Sequence, residues 1–255
     1  MVRGLYTAYT GMMNQQHRLD TITNNLANSA TTGYKKEGAT AQAFDEMFAI
    51  KVRDGSEDYI NKRIGTMSLG VKIGENYTDY TQGNLTETEN TFDLAIAGNG
   101  FFEISFTNKA DEQSYKYTRD GSFTLTKEGF LVNKDGDFVQ GQNGDVKVST
   151  TAEIVIDEQG NIRENGEITD KLKLVDFEDY NYLKKYGQNM YDKVEGYTEK
   201  EAEGKVMQGF LEASNANVIT EMVEMITITR AYETSQKFVQ TADSTLEKDV
   251  NLGSL

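Results

Sequence analysis

Very little in this 255-residue chain has the side chains for covalent chemistry. It contains no cysteine, which excludes a thiolate nucleophile, a disulfide framework and a thiolate metal site. Its one histidine, His17, lies among polar residues with no second histidine or acid cluster close by, so it lacks the partners that acid–base or nucleophilic catalysis needs. Gly98-Asn99-Gly100 superficially resembles a dinucleotide-binding loop. The third glycine is missing, however, and Phe101-Phe102 opens a strand where that loop requires a helix. Asn133-Lys-Asp135-Gly-Asp137 begins like a calcium loop, but its sixth position would be Phe138 instead of glycine and its twelfth Gly144 instead of glutamate. The many other carboxylates fall in turns and on polar faces, where water accounts for them. The residues therefore predict no catalytic, cofactor-binding or metal-ligating site, and no enzyme.

Charge and hydropathy remove further classes. A formal net charge of −15 argues against nucleic acid, whose phosphates require clustered lysine and arginine, and against a surface resting on anionic lipid. No apolar run approaches the ~18 residues that span a bilayer, so no membrane insertion is expected. The opening residues lack the apolar core of a cleaved secretory signal. The charge is uneven: residues 1–36 carry +3, residues 208–255 carry −4, and the middle holds −14.

With little chemistry to position, the patterning points to assembly. From Ser214-Asn215-Ala216-Asn217 to Asp249 there is no glycine, and apolar or aromatic residues recur on a seven-residue step: Val218, Met225, Tyr232, Val239 and Leu246. Met222, Ile226 and Ala242 are read onto the same side. A strict seven-step favours a long helix packed along a partner helix. A helix of about 35 residues would be roughly 50 Å long, too long for a small core. The N-terminal stretch from Arg3 to Asn28 repeats the signature with Leu5, Met12, Leu19 and Leu26, widened by Tyr9 and Ile22, and Thr31-Thr32-Gly33 supplies a stop. Leu5, Met12, Leu19, Leu26, Val218, Met222, Met225, Ile226, Tyr232, Val239 and Leu246 are the expected assembly interface, and the simplest partner of one helix is the other.

Between the helices the pattern changes. From Gly83 to about Tyr197, short apolar runs of period two alternate with Asp-Gly and Asn-Gly turns such as Asp120-Gly121, Asp135-Gly136 and Asn143-Gly144. These are hairpin signals, because the tight turns that join antiparallel strands need positive φ. The fold class expected is α+β: terminal helices pairing as a coiled-coil-like domain around a central antiparallel all-β domain. The expected boundaries are an N-terminal helical segment (1–33), an extended linking segment (34–82), the β domain (83–197), a return linker (198–213) and the C-terminal helix (214–255).

These motifs together resemble the bacterial flagellar rod and hook protein family. Asn24-Asn25-Leu26-Ala27-Asn28-Ser-Ala-Thr-Thr-Gly33-Tyr34-Lys-Lys36 is similar to its N-terminal signature. Gln82-Gly-Asn-Leu85, then Asp93 to Glu103 with Gly98, Gly100, Phe101 and Phe102, is similar to its central motif, and Tyr117-Thr-Arg-Asp-Gly-Ser-Phe123 to the hairpin that follows. Gly209-Phe-Leu-Glu-Ala-Ser214-Asn215-Ala216-Asn217, Glu221-Met-Val-Glu-Met-Ile226 and Arg230-Ala-Tyr232-Glu233 are similar to its C-terminal signature, with Ala216 where the family commonly has valine. Length and the Arg230–Glu233 ending resemble the distal rod members, with proximal rod or hook-type axial members as the alternative. The resemblance implies a structural subunit, exported by the flagellar type III apparatus without signal cleavage. It implies self-assembly into a helical homopolymer, a hollow tube that crosses the periplasm and meets other rod proteins, the hook protein and ring proteins. A runner-up of another class is a secreted β-domain binding module oligomerised by its helices.

Overall fold

The computed structural model describes residues 2–50, 63–107, 113–187 and 189–253. The chain divides into two compact units. One comprises Met1–Ala27, Glu37–Asp79 and Asn217–Leu255, the other Asn28–Lys36 and Tyr80–Ala216.

The first unit contains both long helices, α1 (Val2–Ala27) and α2 (Val218–Gly253). At 36 residues α2 is about 54 Å long. The helices lie antiparallel. Gly4 of α1 faces Phe238, Gly11 faces Ser235, and Asn25 Nδ2 donates to Glu221 Oε2 at 3.3 Å. All the less exposed residues of α2 are Glu221, Met225, Ile228, Ala231, Tyr232, Ser235, Val239, Ala242 and Leu246. The seven-step thus marks half of the packed stripe. Interleaved with it run Glu221, Ile228, Ser235 and Ala242, three of which are small or polar. They fit because α1 meets α2 partly through its own small residues. Asn217 starts α2 as an N-cap, its Oδ1 accepting from the backbone N–H of Ile219 and Thr220 at 3.0 and 3.2 Å.

Of the expected extended linking segment 34–82, residues 37–79 lie with the helices. Strands Glu37–Ala43 and Val71–Thr78 pair antiparallel with one register shift, and Met47–Ile50 pairs with Arg63–Met67. The first ribbon packs on α1. Asn25 brackets Glu37, accepting from its N–H at 2.9 Å and donating to its carbonyl at 2.8 Å. A second line of burial on α1 therefore runs through Thr10, Asn14, Thr21, Ile22 and Asn25, while Leu5, Met12, Leu19 and Leu26 are half-buried.

The second unit is the β-rich one, and every strand pairing among its described residues is antiparallel. Its largest sheet runs Leu183–Tyr186, Met190–Lys193, Gln113–Thr118, Phe101–Thr107, Phe138–Gly141, Leu131–Val132, Thr124–Leu125. Successive residues of a strand point to opposite faces, so adjacent Phe101 and Phe102 seed separate cores. Phe102 joins Leu94, Ile96, Ile104, Leu131 and Val139 in an aliphatic core. Phe101 joins Tyr117, Phe177 and Tyr191 in an aromatic one. At Gly121 the chain crosses Leu94 so closely that a Cβ would occupy the position of the Leu94 carbonyl oxygen, which only glycine allows.

The stretch 198–213, expected to be a return linker, forms the short strands Glu199–Glu201, Lys205–Gln208 and Phe210–Glu212. They pair with Leu174–Phe177, Leu94–Ala97 and Leu85–Glu87 respectively. The cause is long-range: each partner strand would otherwise leave backbone groups unpaired.

Candidate functional site

The motif residues of the β-rich unit converge on a buried ion cluster. Glu212, in the strand Phe210–Glu212, accepts from Lys35 Nζ and, at 3.3 Å, from Arg119 Nη1. All three side chains are at most 3% exposed. The same carboxylate accepts the Gly83 N–H at 2.8 Å, and Lys35 also donates to the Thr81 carbonyl at 2.8 Å. Arg119 lies 5.1 Å from the centre of the Phe101 ring, within reach of its negative face. Four segments far apart in sequence thus meet at one carboxylate: Tyr34–Lys36, Gln82–Leu85, the Tyr117–Phe123 hairpin and the Gly209–Asn217 stretch that carries it.

Neighbouring motif residues brace the node through backbone bonds. The Glu212 carbonyl accepts the Gly33 N–H at 2.7 Å. Gly33 has φ +68° and lies against the backbone of Arg119 and Asp120, where a side chain has no room. Asn215 accepts the Lys36 N–H at 2.8 Å and donates to the Thr81 carbonyl at 3.1 Å. Thr32 donates to Asp120 at 2.7 Å, and Asn189 to the Thr32 carbonyl at 3.0 Å. Tyr34 is buried, with Lys185 Nζ 4.3 Å from its ring centre. Asn28 is buried and its Oδ1 accepts from Thr31. Ser214 accepts the Ala216 N–H at 3.1 Å. Gly98 and Gly100 both have positive φ, as a turn between strands needs, and Phe101 and Phe102 are fully buried. Asn24 and Ala27 are exposed on α1, and Arg230 and Glu233 on α2.

Sequence reasoning missed the node itself. Lys35, Arg119 and Glu212 lie inside quoted motifs but were not singled out. Only Glu212 stands as a lone charge in its motif; Lys35 is followed by Lys36 and Arg119 by Asp120, so sequence gives no signal that separates them from their neighbours.

The helix unit presents surfaces instead of a site. Of the residues expected at an interface, Leu5, Met12, Leu19, Leu26, Met225, Tyr232, Val239 and Leu246 are half-buried, whereas Val218, Met222 and Ile226 are exposed. The outward apolar line on α2 is Ile219, Met222, Val223 and Ile226; that on α1 is Tyr6, Tyr9 and Met13. Ile219 and Val223 lie off the seven-step, as do Met222 and Ile226, and the period alone does not show that these four share an outward face. The hydroxyls of Thr227, Thr229, Thr234 and Thr241 donate to the carbonyls of Val223, Met225, Arg230 and Lys237, four residues earlier, at 2.8–2.9 Å. All four threonines are exposed.

Chemistry finds little to use. A cleft in the β-rich unit has Glu103, Glu158, Lys173 and Lys205 on its walls. Lys173 holds Glu103 at 2.8 Å and Lys205 holds Glu158 at 2.7 Å. A hydrolytic pair requires instead one carboxyl kept protonated beside one left free. Burial raises the phenol of Tyr180 to about 12, aided by its hydrogen bond to Asp176, and burial also raises that of Tyr117. These tyrosines stay neutral as core residues. Among the described residues no group of three or more histidine, aspartate or glutamate side chains could hold a metal, and no helix is long and apolar enough to cross a membrane.

Comparison with known proteins places these features in one context. A family model described as flagella basal body rod protein matches residues 5–35. The flagellar hook protein FlgE/F/G D1 domain matches 95–169, and the C-terminal region of the flagellar basal body rod FlgEFG proteins matches 207–252. The flagellar basal-body rod protein FlgG of Agrobacterium fabrum is 33% identical, covering 95% of this chain and 96% of its own. FlgG of Bacillus subtilis is 32% identical over 99% of both. FlgG of Buchnera aphidicola subsp. Baizongia pistaciae is 32% identical over 97% of this chain and 98% of its own.

Proposed function

From the premise that this chain belongs to the family of flagellar basal-body rod proteins, we propose that it builds the distal part of the rod as a hollow helical tube carrying torque from motor to hook. It is a structural subunit of the flagellar basal-body rod, not an enzyme. The observation that carries the proposal is the helix unit: two long helices that cover each other on one side and leave apolar lines outward on the other. An isolated subunit gains nothing from such lines, whereas packed neighbours bury them. In the tube the helices pair in a coiled-coil-like manner, and contacts that do not close on themselves generate an open helical homopolymer.

The FlgG names of the relatives reported above, and the ribbons of residues 37–79, support the distal position over the proximal one. The acidic middle of the chain faces outward, keeping subunits soluble and opposing lateral association. Partners are further copies of the chain, other rod proteins, the hook protein and ring proteins, met after export by the flagellar type III apparatus without signal cleavage. Nucleic acid and membrane insertion have no part in it. The test is in-frame deletion of the gene, with isolation of basal bodies from the parent strain. The expected results are loss of swimming, and the protein present in the basal bodies distal to the motor. Normal swimming, or basal bodies without the protein, would refute the reading.

A further inference from the structure

We infer that copies join head to tail through two exposed apolar stripes at opposite ends of the helix pair. The Tyr6–Tyr9–Met13 stripe on α1 of one copy seats on the Ile219–Val223–Ile226 stripe on α2 of the next. This deepens the rod reading above and rests on it.

Each stripe follows a helical face, with steps of three and four residues along α1 and four and three along α2. Both are open: Tyr9 is 53% and Met13 44% exposed, Ile219 75% and Ile226 55%. The antiparallel register separates them. Gly11 lies opposite Ser235 and Asn25 bonds Glu221, so Tyr9 falls level with a point on α2 well beyond Val223. The offset is about 14 residues, or about 20 Å along the axis. One copy therefore cannot cover one stripe with the other.

Charge selects the pairing. Before Asp20 the chain holds Arg3 and Arg18 and no acid, whereas from Val218 to Thr229 it holds Glu221 and Glu224 and no base. Glu224 is exposed beside the α2 stripe, while Glu221 is buried against Asn25. Stripe on like stripe would oppose equal charges; stripe on unlike stripe pairs opposite ones. Unlike pairing is also the arrangement that does not close, so it extends indefinitely. The six side chains would bury on the order of 800 Å² in total, short of the ~1,200 Å² of a stable pair. A single contact therefore holds weakly. A copy engaged at both ends within an array is held firmly.

The absence of cysteine makes the contact directly readable. A strain carries Tyr9→Cys and Val223→Cys in the full chain, and its basal bodies are isolated and oxidised. Within one copy the two positions are about 20 Å apart, far beyond the ~7 Å Cα separation a disulfide tolerates. Non-reducing electrophoresis should show a ladder of dimers, trimers and higher species, and each single variant should stay monomeric. Dimers from either single variant, or monomer alone from basal bodies that contain the double variant, would overturn the pairing and leave the rod reading intact. Basal bodies lacking even the unsubstituted protein would overturn the rod reading instead. Met13→Cys with Ile226→Cys asks the same question should the first pair impair folding.

Discussion

Glu212 holds two cations where water does not reach. Removing one member of such a cluster leaves uncompensated buried charge, which typically costs about 3–5 kcal/mol. Glu212→Gln should therefore lower stability by that amount, read as a shift in the urea midpoint of the full-length protein. Lys205→Gln, which breaks an exposed pair with Glu158, should cost less than ~1 kcal/mol. Equal midpoints for the two variants would contradict the assigned role of the node. The sequence shows these three residues within recognisable motifs, yet charged residues default to solvent, and no local pattern reveals that segments 84 and 93 residues apart along the chain close on one carboxylate. The capping Asn217 and the glycines of the tight turns were legible because each acts on its immediate neighbours.

Helix α2 was readable at the level of its period and only partly at the level of its faces. A seven-step locates a seam, but it does not say which flanking position turns inward. Ile228 turns in and is buried, whereas Ile226 turns out. Ile228→Asp should melt the helix unit several degrees lower by circular dichroism of the purified protein, since it buries an unpaired charge. Ile226→Asp should leave the melting curve within ~0.5 kcal/mol of the parent and still abolish swimming. Loss of melting temperature in Ile226→Asp, or none in Ile228→Asp, would reverse this assignment of faces. The hairpins of the β-rich unit followed from Asp-Gly and Asn-Gly turns. Strands such as Phe210–Glu212 did not, because three residues carry too little pattern and their partner Leu85–Glu87 lies far back in the chain.

For the molecule as a whole, the fold class was legible because helix and strand periods occupy separate stretches of sequence. The allocation of segments to units was not, since residues 28–36 and 37–79 carry no composition that assigns them. The rod reading and the runner-up, a binding module oligomerised by its helices, part company in solution. A weak head-to-tail contact leaves purified protein monomeric at micromolar concentration by sedimentation velocity. A stable dimer or trimer under those conditions would favour the runner-up.

The threonine hydroxyls of α2 carry a consequence for how such a chain travels. In an unfolded chain each hydroxyl bonds water, and the segment is compatible with solvent. Once the helix forms, the same hydroxyls donate to the carbonyls of Val223, Met225, Arg230 and Lys237 and no longer donate to water. Adhesiveness then needs the helix as well as its composition, because only the helix gathers Ile219, Val223 and Ile226 onto one exposed face. A subunit threaded through a narrow conduit as an extended chain would carry a wettable segment, and that segment would become sticky only where it coils.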